Sequence, residues 1–162
     1  MLRTVLLAVL FTSHAVLAAE EESPSWNDAI KWTDYETGLQ TAKEEGKPLM
    51  LLIHRLWCGA CKALRPKFAG SKEIEALSDK FVMVNSHDEK EFNGAPFVPD
   101  GGYIPRILFF DSNGKFMEQV KAKRDKNLYF HPNADAVLEV MKLALKENAK
   151  VAQEEGDKKE EL

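Results

Sequence analysis

Two cysteines occur in the 162 residues, three positions apart, in Trp57-Cys58-Gly59-Ala60-Cys61-Lys62. A disulfide scaffold would spread its cysteines along the chain, and a structural zinc site would need a second pair of ligands. A single Cys-x-x-Cys directly after the apolar run 49–53 suits reversible thiol–disulfide exchange best. If the motif opens a helix, Cys58 sits where unpaired N–H groups and the helix dipole favour a thiolate, the reactive form. Cys61, almost one turn later, is then close enough to close a disulfide with it.

The elements that must hold this pair alternate along the chain. Thr33 with Glu36 reads as a capping box, and Tyr35, Leu39 and Ala42 follow at helical spacing until Gly46 and Pro48 stop the helix. Residues 49–54 read as a continuous apolar strand, suited to a sheet covered on both faces. The next helix starts at the cysteines and is predicted to bury Cys61, Leu64 and Phe68, with a kink at Pro66. A short helix over 72–79 leads into a strand at 81–84. A strand at 107–110, the turn Asp111-Ser112-Asn113-Gly114 and a strand at 115–120 predict a β-hairpin. The last helix is predicted over 134–149, with Val137, Leu138, Met141 and Leu145 on one face. This order implies a single α/β domain with a mixed central sheet and helices on both faces.

The ends of the chain bear on location. Residues 1–19 read as a secretory signal peptide: Arg3, the apolar stretch 5–11, then Val16-Leu17-Ala18 at a cleavage site. A membrane anchor is the alternative, but the apolar run is far below the ~20 residues a span needs, and His14 interrupts it. Residues 20–30 are expected to be a flexible mature N-terminus, 31–149 the domain, and 150–162 an acidic tail. That tail ends in Lys159-Glu160-Glu161-Leu162, similar to the Lys-Asp-Glu-Leu retrieval signal, although a solvated acidic end would also fit. Together these ends predict residence in the endoplasmic reticulum lumen, a retrieval receptor as one partner, and no membrane insertion after cleavage. Net charge is −4 with both signs interspersed and no basic stripe, which argues against nucleic-acid binding. No Asn is followed by Ser or Thr two positions on, so N-glycosylation is not expected.

Element order and Cys-x-x-Cys placement resemble the thioredoxin fold, and local matches sharpen the likeness. Trp57 precedes the first cysteine, Pro66 lies five residues beyond the second, and Ile104-Pro105 precedes a core strand where the family carries a cis-proline facing the disulfide. With Pro99-Asp100-Gly101-Gly102-Tyr103-Ile104-Pro105-Arg106 and the terminal Lys-x-Glu-Leu, the chain resembles the small endoplasmic-reticulum thioredoxins related to the anterior gradient proteins. The likeness covers roughly 32–149.

The resemblance implies roles. Cys58 is the exposed nucleophile that forms a mixed disulfide with a client, and Cys61, less accessible, resolves it. Trp57, Gly59, Ala60, Ile104 and Pro105 form the client-binding surface, with Ile104 and Pro105 as the wall opposite Cys58. Disulfide isomerases place a histidine and thioredoxin a proline where Ala60 stands, so the resemblance implies a potential roughly between −270 and −180 mV. Leu52 stands where those families bury an acid that assists proton transfer; His54 or Arg55 are substitutes, although a His at a strand end is usually partly exposed. His87 and His131 lack ligand spacing, so no metal is expected.

The resulting expectation is a thiol–disulfide oxidoreductase acting on secretory-pathway client proteins during folding, with glutathione as co-substrate and no cofactor beyond the Cys58–Cys61 pair. The alternative is a chaperone-like module that captures clients as mixed disulfides with little turnover. The charged stretch 121–133 has no role legible from sequence.

Overall fold

The computed structural model describes residues 25–87 and 91–160. The signal segment 1–19 lies outside them, as do Glu161 and Leu162 of the terminal tetrapeptide.

The run Leu-Met-Leu-Leu-Ile forms the central strand. β2 (Leu49–Ile53) is buried along its whole length. It pairs in parallel with β3 (Val82–Ser86) and antiparallel with β4 (Arg106–Phe110). A two-residue β1 (Trp32–Thr33), not anticipated from sequence, adds in parallel to β3, giving the order β1-β3-β2-β4. Alternation along β2 explains why both of its faces are apolar. Met50 and Leu52 pack with Cys58, Cys61, Leu64 and Phe68 of α2 (Gly59–Ala69) and with Val137 and Met141 of α4 (Ala134–Glu160). Leu49, Leu51 and Ile53 face the other way, toward Ala42 of α1 (Tyr35–Glu45). The α/β architecture with helices on both faces of a mixed sheet is therefore present as the resemblance implied.

Several local expectations change. The N-cap of α1 is Asp34, whose Oδ1 accepts from Thr37 N–H at 2.9 Å. Thr33 lies one residue too early to cap a helix that begins at Tyr35, and it is paired in β1 with Val84. At the other end Gly46 takes φ 65° and its N–H bonds to Ala42 O, as a helix stop requires. The short α3 (Lys72–Ser78) is capped by the Ser71 hydroxyl.

The predicted strand 115–120 does not form, and only a bridge between Phe110 and Phe116 remains. Gly114, at φ 80°, closes a turn in which Asp111 Oδ1 accepts from the N–H groups of Asn113 and Lys115. Beyond it Met117 and Val120 are both buried, three residues apart, and Val120 N–H bonds to Met117 O. That spacing belongs to a turn, whereas a strand would alternate.

The last helix runs on to Glu160 instead of stopping near 149. Residues 150–160 lack a wide apolar stripe but hold three Lys and three Glu, which favour helix, and Lys150 pairs with Glu147 at 2.6 Å.

Residues 25–30 are not a flexible lead-in. Trp26 is buried against Phe68, with ring centroids 5.6 Å apart, and against His54 at 5.1 Å. Asn27 Nδ2 donates to Ala69 O and to Glu75, and Asn27 O accepts from the Trp32 indole. One aromatic anchor carries no periodicity, which is why the pattern of residue types did not reveal it.

Candidate active site at the start of the second helix

Cys58 is the N-cap of α2 and is disulfide-bonded to Cys61, with their Cα atoms 5.3 Å apart. Its Sγ accepts from the Cys61 backbone N–H at 3.1 Å. The orphan donor at the helix start thus points at the sulfur that must carry negative charge when the pair is reduced. Cys58 N–H in turn bonds to Arg55 O at 3.3 Å, which fixes the approach from β2.

Across from the motif, the Ile104–Pro105 peptide is cis, and Ile104 O lies 3.8 Å from Cys58 Sγ. Two segments 46 residues apart in sequence thereby meet at one sulfur. Trp57, Gly59 and Ala60 are exposed around it, Trp57 at 67%. A Cβ built on Gly59 would meet no atom within 4 Å, so the rim there is open.

Cys58 was expected to be exposed, yet it is 5% accessible, little more than the 2% of Cys61. As N-cap it is folded into the helix start, with the Ile104 carbonyl opposite. Its exposed chain neighbours are Trp57, Gly59 and Ala60, so an attacking group reaches Cys58 from their side.

Leu52 is fully buried and paired with Asn85 and Ile107, so β2 offers no carboxylate beneath the cysteines. His54 is not the partly exposed strand-end histidine expected. It is 1% exposed, held between the tilted rings of Trp26 and His87, and bonded by Asn85, while its Nε2 has no partner among the described residues. Burial, then the nearby positive groups His87, Arg55 and Arg65, lower its pKa to about 4. It is therefore neutral near pH 7. Arg55 is also buried, its Nη1 donating to His54 O at 2.7 Å.

The residue that sequence reading missed is Arg106. An Arg heading an apolar strand reads as a solvated strand end, yet here it is 1% exposed and bonded to the loop before it. The same loop is tied down by Tyr103, whose hydroxyl donates to Asp100 at 2.6 Å and accepts from Tyr129 N–H. Burial, then Asp100, hold the Tyr103 phenol above its ordinary range, and burial pushes Tyr129 up to about 12. Lys159 and Glu160 fall in the last residues of α4, remote in sequence from the cysteines. His131 is buried beside α4, lining a cleft with Lys121, Lys123 and Glu139.

Among the described residues, no helix is long and apolar enough to cross a membrane. A thioredoxin-like family matches the chain over residues 31–112. Anterior gradient protein 2 homolog of Homo sapiens is 36% identical over 127 residues, covering 76% of this chain and 71% of that protein. Anterior gradient protein 3 of Mus musculus is 33% identical over 153 residues, covering 87% and 91%. Among solved structures, a thioredoxin from Thermus thermophilus aligns with a TM-score of 0.54 at 17% identity over 73% of this chain and 89% of that one. A DsbH oxidoreductase aligns with a TM-score of 0.52 at 19% identity, covering 79% and 92%. At these identities the two structures speak to the fold alone.

Proposed function

The chain belongs to the anterior gradient family of thioredoxin-like proteins, and from that premise we propose that it is a protein thiol–disulfide oxidoreductase of the endoplasmic reticulum lumen. The observation that carries the proposal is the Cys58–Cys61 pair at the N-terminus of α2, with a backbone N–H directed at Cys58 Sγ. That donor and the helix dipole lower the cost of a Cys58 thiolate.

In the reducing direction, the Cys58 thiolate attacks a client disulfide, one S–S bond forms as another breaks, and a client thiolate leaves. Cys61, deprotonated, then attacks Cys58 Sγ, forms the Cys58–Cys61 disulfide and releases the second client thiol. Two electrons pass from the pair to the client, and the reverse sequence oxidises a client dithiol. Trp57, Gly59 and Ala60 on one side and Ile104 and Pro105 on the other bound the client segment. Presence of Cys61 within bonding distance favours turnover over simple capture. With the terminal Lys-x-Glu-Leu, it also makes the chain resemble thioredoxin domain-containing protein 12, a small endoplasmic-reticulum thioredoxin related to the anterior gradient proteins. Glutathione is the small-molecule thiol proposed to exchange with the pair.

Equilibration in glutathione buffers tests this. The fraction of Cys58–Cys61 disulfide should follow a two-electron curve with a midpoint roughly between −270 and −180 mV. A pair that stays oxidised across that range would overturn the glutathione-linked reading. The lumenal location is supported by the signal-like segment 1–19 and by Lys159-Glu160-Glu161-Leu162. Deleting those four residues should release the protein from secretory cells with no change in folding, measured as protein in the medium; equal retention of both forms would remove the retrieval proposal.

A further inference from the structure

We propose that Arg106 is a positioning residue for thiol–disulfide exchange, holding the backbone that carries Ile104 and Pro105 against Cys58. The proposal deepens the function above and rests on Cys58 being the attacking sulfur. Arg106 opens β4 with its side chain almost completely buried. Burying a guanidinium costs several kcal/mol unless its donors are satisfied. Here Nε donates to Phe97 O at 3.1 Å, Nη2 to Phe92 O at 3.2 Å, and Nη1 to Tyr103 O. Among the described residues, every hydrogen bond it makes goes to a main-chain carbonyl.

Those carbonyls belong to residues 92–103, a stretch without helix or strand. Such a segment has no ladder of its own to fix it. The rigid fork of one arginine reaches three points on it at once, which a lysine ammonium, donating from a single nitrogen, cannot do. Tyr103 O and Ile104 O are consecutive carbonyls, and Ile104 O is the one 3.8 Å from Cys58 Sγ. Holding the first peptide holds the second. An apolar side chain at 106 would serve the core without the desolvation cost, so a buried cation at this position is accounted for by the loop it fastens. A client that reaches Cys58 meets the Ile104 carbonyl beside the sulfur, and its alignment follows from the same three bonds.

The test compares two reactions of the reduced protein: attack on a peptide disulfide, which needs the wall, and alkylation of Cys58 by iodoacetamide, which does not. A displacement of about 1 Å at a reacting centre can cost on the order of 100-fold in rate. Arg106→Met should slow the peptide reaction by at least about tenfold, and Arg106→Lys by less, while alkylation stays within about twofold of wild type. Peptide rates equal to wild type in a folded variant would overturn the proposal, as would a parallel fall of both reactions. Should Arg106→Met fail to fold, Arg106→Lys decides by the same two rates. A wild-type protein that is alkylated but reduces no peptide disulfide overturns the proposed function and this inference together. Wild type and variants that reduce the peptide alike overturn the inference alone.

Discussion

Replacing Cys61 by serine turns the protein into a trap: mixed disulfides between Cys58 and clients or glutathione accumulate, and turnover falls by at least about 100-fold. The size follows from what is lost, since an intramolecular thiol with an effective molarity that can reach on the order of 10⁵ M is replaced by external thiol. Cys58→Ser should lose turnover as completely but accumulate nothing, because Cys61 is buried beneath the helix start. Neither change should unfold the protein. Serine at 58 still offers an oxygen to the Cys61 N–H and is a favoured N-cap, and serine at 61 leaves that N–H in place. Non-reducing electrophoresis with mass spectrometry of the adducts reads the result. Equal trapping by both variants would reverse or abolish the assigned order. No trapping by either would mean that Cys58 does not attack clients.

The parts of this site written in local patterns were legible before the structure. Cys58, Gly59, Ala60 and Cys61 announce a helix start through spacing and through the strand run before them, and the structure places Cys58 as the cap itself. The 104–105 wall became legible only through resemblance, because nothing in Ile-Pro-Arg-Ile says that the Ile104 carbonyl lies beside a sulfur 46 residues away. Arg106 and His54 escaped for a different reason. Both are polar residues at strand ends, where exposure is the usual expectation, and burial at such a place depends on what packs over it. Over Arg106 it is an irregular loop, and over His54 it is Trp26, from a segment that carried no periodic signal at all. The strand missing at 115–120 has the same origin. Asn-Gly predicts a turn well, but whether the chain after it stays in the sheet depends on where Met117 and Val120 find a core, and they find it three residues apart.

Acid should destabilise the fold well before its carboxylates titrate, through His54 and His131. Each is almost completely buried, and each has a pKa lowered from 6.5 to about 4. For His54 the causes are burial, then the positive charges of His87, Arg55 and Arg65; for His131 they are burial, then Arg124. Among the described residues, both nitrogens of His131 and Nε2 of His54 also lack partners that would stabilise a charged ring. Between pH 6.5 and 4 the unfolded chain therefore binds protons that the folded chain refuses, so stability rises with pH across this window and is lost as pH falls through it. At about 1.4 kcal/mol per unit of displacement, each group contributes roughly 3 kcal/mol, a large share of an ordinary folding stability of about 5–15 kcal/mol. Three carboxylates are held below their usual range, exposed Asp34 and half-buried Glu75 and Glu147, and their effect belongs to lower pH. Urea denaturation at pH 7, 5.5 and 4.5 should show the loss directly, and His54→Phe and His131→Phe should each remove about half of the slope. A wild-type stability that stays level from pH 7 to 4.5 would refute the burial of these two imidazoles as neutral groups. So would variants that keep the full slope. A slope halved by His131→Phe but untouched by His54→Phe would mean that the ring beside Trp26 takes up its proton in the folded state.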